Sequence, residues 1–146
     1  MAKIALKIAR RLKKKGFSVD LELVEIGALL HDIGRSKTHT VHHAIVGAKI
    51  AEQRGLPKPI IRIIERHVGG GITAQEAEKL GWPVKDYIPE TLEEKIVCYA
   101  DKLVEGNKEV PVEVTIRKLA DELGDDHPAI ERIRRLHEEF TSMVNS

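Results

Sequence analysis

The sequence is poor in several residue types, and each shortage excludes a class of protein. Its 146 residues include one cysteine, Cys98, so no disulfide can form within the chain. Aromatic residues make up only 3%, so the core must consist mainly of Leu, Ile, Val and Ala. No apolar run approaches about 18 residues and no signal peptide is visible, which predicts a soluble cytoplasmic protein without a membrane partner.

Net charge is also low, because 24 Lys and Arg residues nearly balance 23 Asp and Glu residues. A balance of +1 is not typical of a nucleic-acid or membrane binder. The basic run from Lys3 to Lys15 is interpreted as the solvated face of a helix, with RNA or another phosphate-rich partner as the alternative. Asn and Gln are scarce, whereas Lys, Glu, Arg and Ile are abundant, which favours a thermophilic source.

Helical periodicity recurs along the whole chain, and no segment is typical of a strand. The second helix is predicted to begin at Asp20, to end at Gly34 and to bury an apolar face that includes Leu29. Capping boxes at Thr73 and Thr91 start two later helices. The predicted helices cover residues 2–15, 20–34, 41–54, 57–68, 73–81, 91–104, 111–124 and 128–143. Short loops and the absence of repeats predict one all-α domain over residues 1–146.

The stretch Leu29-Leu30-His31-Asp32-Ile33-Gly34 carries the first chemical signal. Adjacent helical side chains point about 100° apart, yet both can reach one ion that lies beyond the helix end. Gly27 and Gly34 flank His31 on its own face, which predicts room there for an ion or a ligand. Taken alone, the pair is explained equally well by a helix-capping histidine beside a solvated aspartate.

Three further residues strengthen the metal interpretation, because each lies on the apolar stripe of a different predicted helix. His43 and His67, taken singly, are typical of partly buried core histidines. Asp101 is harder to explain in that way, since a buried carboxylate needs a compensating charge. A divalent cation shared with the imidazoles would provide that charge, so the pattern predicts a metal site in the core of a helical bundle.

These residues resemble the HD-domain superfamily, in its HDIG-containing branch of all-α, metal-dependent phosphohydrolases. The resemblance extends from the first helix to about Val104. It implies that His31, Asp32 and Asp101 hold one ion, with His31 and Asp32 at the catalytic centre. It also implies that His43 and His67 hold a second ion or contact the phosphate. Imidazole and carboxylate ligands suit Mn, Fe, Ni, Co or Zn better than Mg.

The sequence departs from the family pattern at two places. The family's first histidine stands on the opening helix, but no histidine precedes His31, and Val68 occupies a position where a second adjacent histidine often occurs. The first helix also lacks a capping residue at Met1. We therefore expect that the chain begins inside this helix and that a longer form carries the missing histidine. Otherwise, water or His43 would replace that ligand.

Four basic residues are candidates for contact with substrate phosphate: Arg35, Lys37, Arg66 and Lys102. Each lies close in sequence to a proposed ligand, and the alternative for each is a solvated surface charge. The predicted function is a metal-dependent phosphohydrolase acting on a nucleotide or another small phosphorylated molecule. The alternative is a nonhydrolytic HD-fold module that binds a nucleotide or a partner protein. Homo-oligomer formation is left open by the sequence.

Overall fold

The computed structural model describes residues 1–145, except for the side chains of residues 122 and 123, and confirms the predicted all-α class. Eight α-helices and one two-stranded hairpin are present in this part of the chain. The helices are α1 Ala2–Lys14, α2 Leu21–Leu30, α3 His43–Gln53, α4 Lys58–Glu65, α5 Ala74–Leu80, α6 Leu92–Asp101, α7 Val112–Leu123 and α8 Pro128–Asn145. A 3₁₀ helix covers Ile33–Ser36, and the strands are β1 Val104–Glu105 and β2 Lys108–Glu109.

The main core forms where α1 packs against α2 and α6, with α8 covering α6. Ala5 and Ala9 let α1 approach closely, and Val24, Ile96 and Ile133 fill the space between the helices. A second cluster lies between α3 and α4. Because α2 contacts α4 and α6, its carboxyl end lies near His67, just beyond α4, and near Asp101 at the end of α6.

Local capping fixes where several helices begin. Asp20 accepts a hydrogen bond from the backbone N–H of Leu23, and Thr73 forms the predicted capping box with Glu76. The second predicted box is only half present, because Thr91 caps its helix but the Glu94 carboxylate accepts from the backbone N–H of Glu90. Thr91 alone is sufficient to define the start of α6.

Three helix ends differ from the sequence prediction by three residues or more, and one of them is that of α4, which stops at Glu65 rather than at residue 68. Helix α2 stops at Leu30, and the chain passes through a turn at His31 and Asp32 into the 3₁₀ helix rather than continuing as α-helix. Helix α6 stops at Asp101 instead of continuing to Val104, because the following residues form the β1–β2 hairpin. Gly106 has a φ of 61° in the hairpin turn, so this Gly-Asn pair is the local signal that the sequence reading missed.

The buried face of α2 also differs from the prediction. Leu29 is 67% exposed, whereas Val24, Gly27 and Ala28 are buried. The correct face therefore follows the i, i+3, i+4 and i+7 spacing that ends at His31. This register directs His31, rather than Leu29, into the interior.

Candidate metal centre

Five of the predicted site residues converge at one end of the helical core. Their donor atoms form two overlapping groups, one of His31, His67 and Asp101 and the other of Asp32, His43 and His67. Within each group the donor atoms all lie within 4.8 Å of one another. The chain therefore brings together side chains that are separated by up to 70 residues.

All three imidazoles are oriented by the same kind of bond. Nδ1 of each ring lies close to the carbonyl oxygen three residues earlier: 2.6 Å from Ala28 for His31, 2.8 Å from Thr40 for His43 and 2.6 Å from Ile64 for His67. A carbonyl can only accept, so Nδ1 carries the proton and donates it. In the neutral ring, Nε2 then has a free lone pair, as a metal ligand requires.

The Nε2 atoms face a shared centre. Those of His43 and His67 are 2.9 Å apart, and two lone pairs at that distance need a proton or a cation between them. Nε2 of His31 lies 3.2 Å from Oδ1 of Asp101 and 3.2 Å from Oδ2 of Asp32. Ligands about 2.1 Å from one ion are separated by roughly 3.0–3.4 Å, so these spacings suit an N/O-ligated divalent ion.

Asp32 connects the two donor groups. Its Oδ2 faces His31, and its Oδ1 lies 3.3 Å from Nε2 of His43 and 3.4 Å from Nε2 of His67. Oδ1 is buried and has no well-aligned hydrogen bond with any described residue. A buried carboxylate oxygen without such a bond is costly, and a cation at the centre would compensate it.

Asp101 is supported by a buried lysine. Nζ of Lys102 donates to Oδ2 of Asp101 at 3.0 Å, to the carbonyl of His67 at 2.8 Å and to the carbonyl of Cys98 at 3.3 Å. These three bonds use all three N–H donors of the ammonium group. Lys102 therefore holds Asp101 and the backbone at His67 in fixed positions relative to each other.

The charges within the cluster are strongly coupled. Burial opposes a charged imidazole, but hydrogen bonds to Asp101 and Asp32 outweigh it and raise the pKa of His31 to about 9. Burial favours protonated carboxyls, yet the neighbouring imidazoles hold the pKa of Asp32 well below its usual range. The Lys102 ammonium and His31 do the same to the pKa of Asp101. The pKa of His67 is lowered by burial, which favours a neutral ring.

The two glycines that flank His31 do not provide space for a ligand, contrary to the sequence prediction. A Cβ atom on Gly27 would come within 2.6 Å of the Ile63 side chain. One on Gly34 would overlap the carbonyl oxygen of His43 and come within 2.6 Å of the Gly47 nitrogen. Both glycines instead allow α4 and α3 to pack closely around the site.

The four predicted basic residues occupy different surroundings. Nε of Arg35 lies 3.3 Å from Oδ1 of Asp32, and its side chain is 44% exposed at the edge of the cluster. Lys37 is also exposed and follows the same 3₁₀ helix. Arg66 points instead to α6, where Nη1 lies 2.7 Å from Glu94. Lys102 is buried beneath Asp101, as described above.

One polar pair near the centre was not identified from the sequence. Nε1 of Trp82 donates to Nδ1 of His42 at 2.8 Å, and the ring of Trp82 also packs edge-on against Tyr87. The neutral His42 ring must then carry its proton on Nε2. The two partners lie 40 residues apart, and neither belongs to a periodic pattern that could have linked them.

Helix α1 contributes no donor to either of the two groups formed by described residues. It begins at Ala2 without a side-chain cap, as the sequence predicted, and it packs against α2, which ends just before His31, and against α6, which ends at Asp101. The histidine expected upstream of His31 stays a prediction. No helix within residues 1–145 is both long enough and apolar enough to cross a membrane.

The helical fold and the His and Asp cluster define a class of α-helical protein with a candidate metal centre in its core. The family model for the HD domain matches residues 1–124, and the chain therefore belongs to the HD-domain family. A solved structure, the HD domain of the Listeria monocytogenes phosphodiesterase PgpH in complex with cyclic-di-AMP, shares the fold with a TM-score of 0.53 and 19% identity. The match covers 99% of this chain and 88% of that one.

Two relatives illustrate different contexts for this domain. An uncharacterized protein of Methanocaldococcus jannaschii is 47% identical over 99% of this chain and 85% of its own length. The tRNA (cytidine(56)-2'-O)-methyltransferase of Picrophilus torridus is 50% identical over 85% of this chain. The chain spans only 36% of that enzyme, so the match concerns one part of a longer protein.

Proposed function

We propose that this protein is a metal-dependent phosphohydrolase that cleaves a phosphate ester or anhydride of a nucleotide or another small phosphorylated molecule. The main support is the convergence of three Nε2 atoms and two carboxylates on one centre. The Nδ1 bonds to backbone carbonyls orient the rings as ligands, and an oxygen of Asp32 is buried without a well-aligned partner. Membership in the HD-domain family agrees with this chemistry.

His31, Asp32 and Asp101 would hold one divalent ion, and His43 and His67 would hold a second ion or contact the phosphate. Such an ion supplies Lewis acidity, which activates a water molecule and polarises a phosphoryl oxygen. Asp32 would contribute one oxygen to each side of the centre, because Oδ2 faces His31 and Oδ1 faces His43 and His67. The donor chemistry favours Mn, Fe, Ni, Co or Zn over Mg.

Arg35 and Lys37 are the best placed residues to bind substrate phosphate. Arg35 lies beside Asp32 and remains substantially exposed, so its guanidinium can turn towards an anion at the centre. Lys102 is assigned to positioning Asp101, since its three donors are used within the protein. Arg66 is assigned to the contact between the end of α4 and α6 through Glu94.

The decisive experiment combines metal analysis with a hydrolysis screen on purified protein. The screen offers nucleotides and a chromogenic phosphodiester with each of the five transition ions and with Mg. Bound metal and activity should fall together in Asp101→Ala and in His31→Ala. Matched controls are Asp86→Ala and His137→Ala, which remove the same types of side chain from residues outside both donor groups. Unchanged metal content in both Asp101→Ala and His31→Ala would refute the site.

A second proposal is an RNA-associated role, and the tRNA methyltransferase relative favours it. The domain could then serve either as the hydrolase proposed above or as a nonhydrolytic module that binds a nucleotide or a partner. In the nonhydrolytic version, the same His and Asp donors would hold an ion that serves binding alone. Metal retention without hydrolysis of any substrate in the screen would favour that version.

A further inference from the structure

Helix α1 presents a continuous basic surface to solvent. Six of its side chains are exposed and cationic, and together they are called the basic face. The basic face consists of Lys3, Lys7, Arg10, Arg11, Lys13 and Lys14. On a helix of 3.6 residues per turn, Lys3, Lys7, Arg10 and Lys14 fall within about 60° of one another and extend over roughly 16 Å.

The basic face has no internal counter-charge. None of its six cations forms an ion pair with a carboxylate among the side chains that the structure describes. The first acidic residue of the sequence is Asp20, after seven Lys and Arg residues. The remainder of the chain has 17 basic and 23 acidic residues and is therefore net negative. The near-neutral total thus conceals a strong separation of charge.

The opposite side of α1 is sealed in the core. Ala5, Ala9 and Leu12 are fully buried against α2 and α6. A helix that inserts into a membrane surface needs a free apolar face, and α1 has none to offer. Binding through the basic face must therefore be electrostatic, which suits a polyanion whose charges are repeated along its length.

We propose that the basic face of α1 is the surface on which the protein docks the sugar-phosphate backbone of RNA. This inference rests on the RNA association proposed above and assigns it a location. The long, flexible stems of Lys and Arg can follow a curved phosphate backbone without reading its sequence. Since the opposite side of α1 packs on α2 and α6, RNA held on the basic face would be separated by α1 itself from the helices that lead to His31 and Asp101.

The test compares wild type with the quadruple variant Lys3→Gln, Lys7→Gln, Arg10→Gln and Lys14→Gln. Glutamine keeps helix propensity and removes charge. Binding of unfractionated tRNA is measured by fluorescence anisotropy from 50 to 300 mM salt. We expect the slope of log K against log salt to become shallower by about 3 and the affinity to fall at least about tenfold, because each lost phosphate contact removes about 0.7–0.9 from the slope.

A second quadruple variant provides the matched control. Replacing Lys49, Lys58, Lys79 and Lys108 by Gln removes the same charge from exposed sites outside α1. Wild-type affinity and slope in this control support the assignment, whereas an equal loss in both variants overturns it. Circular dichroism and thermal unfolding show that both variants remain folded.

Other probes separate this inference from the hydrolase. Asp101→Ala should bind tRNA as wild type does, and the α1 variant should hydrolyse a small phosphodiester at the wild-type rate. No tRNA binding by the wild type overturns both the RNA association and its location, but leaves the hydrolase to its own test. Tighter binding to a DNA duplex of equal phosphate count, or to phosphatidylserine vesicles, overturns the assignment to RNA.

Discussion

Lys102 shows how one residue can control a site without touching substrate. Its ammonium group is buried and bridges Asp101, the backbone at His67 and the backbone at Cys98. Burial of a lysine is costly, but the neighbouring Asp101 carboxylate outweighs that cost and raises the pKa of Lys102. The pair therefore stays charged, and the carboxylate oxygen that faces His31 keeps its direction.

Replacing Lys102 by Met should weaken metal binding although no ligand is removed. Outer partners of metal ligands typically contribute about 10–100-fold in affinity, so we expect a loss in that range. Because the Asp101 side chain is 30% exposed, breaking this ion pair should cost less than the roughly 3–5 kcal/mol in the free energy of unfolding that is typical of a fully buried pair. Metal titration and urea unfolding check the two effects. An unchanged metal affinity in a folded variant would show that Lys102 does not position Asp101.

Gly34→Ala should be far more destabilising than Gly27→Ala. At position 34 the added methyl group meets the backbone of His43 and Gly47, which cannot move without displacing α3. At position 27 it meets the end of the Ile63 side chain, which can turn away. We expect overpacking to cost about 2–4 kcal/mol at position 34 and about 1–2 at position 27, measured by urea unfolding. Equal losses would contradict this.

At this scale the sequence identifies the kinds of side chain but not their exact neighbours. His43, His67 and Asp101 could be chosen because each lies on an apolar stripe, where a polar residue needs an explanation. His31 and Asp32 could be chosen because they form an adjacent pair at the end of an apolar helical run. The distances between these residues could not be predicted, because they depend on how α2, α3, α4 and α6 pack together over a span of 70 residues.

The four basic residues that were candidates for phosphate contact differ in their surroundings for a similar reason. Closeness in sequence to a proposed ligand predicts neither the exposure of a side chain nor its hydrogen-bond partner, so the sequence does not distinguish Arg35 from Lys102. In the fold, Arg35 lies at the edge of the cluster, whereas Lys102 is buried beneath it.

At the scale of elements, α5 is held in place by its own first turn. Glu76 accepts from the backbone N–H of Thr73, and it also receives Nη2 of Arg132 from α8 at 2.6 Å. Arg132 donates in addition to the carbonyl of Gly71, so this contact joins α8 to the segment that leads into α5. Burial of Glu76 is outweighed by these bonds, and its pKa is lowered.

Glu76→Gln should lower stability at neutral pH but not in acid. A carboxyl group with a folded pKa below its unfolded value of about 4.3 stabilises the protein above that pH, and the contribution disappears as pH falls through the folded pKa. We expect the variant to be less stable by about 1 kcal/mol at pH 7 and to approach wild-type stability as the pH falls through the lowered pKa of Glu76. Urea unfolding across this pH range measures the difference. A constant difference would exclude the charge as its cause.

Element starts were more predictable than element ends. Asp20, Thr73 and Thr91 cap their helices through bonds made within three or four residues, which the sequence alone displays. The end of α2 depends on α3 packing against Gly34, and the register of its buried face depends on α1 and α6. Those contacts are long-range, which is why Leu29 was misassigned to the core.

At the scale of the whole molecule, the candidate centre links segments that would otherwise be joined only by packing. Two of its donor residues, His31 and Asp32, directly follow α2. The other three lie at the start of α3, two residues beyond α4 and at the end of α6: His43, His67 and Asp101. An ion that binds all of them binds only the folded chain. Metal binding and global stability should therefore be coupled.

Adding a transition ion to chelator-treated protein should raise its melting temperature, and the rise should increase with the concentration of the ion. A ligand that binds only the folded state adds about 2.7 kcal/mol at 100 times its dissociation constant. Differential scanning calorimetry at increasing Mn or Ni concentration measures the shift. Asp101→Ala should show little shift, while Asp86→Ala should respond as wild type does. An equal shift in both variants would place the bound ion elsewhere.

The single cysteine offers an independent way to observe motion around this centre. Cys98 is completely buried on α6, one turn before Asp101, and its thiol lies 3.2 Å from the carbonyl of Gly69. A thiol reagent can reach it only when α6 separates from the segment that follows His67. The rate at which Cys98 is labelled would therefore report how often α6 separates from this segment, and no mutation is needed to measure it. A bound ion that holds His67 and Asp101 together should lower the rate at which Cys98 is labelled.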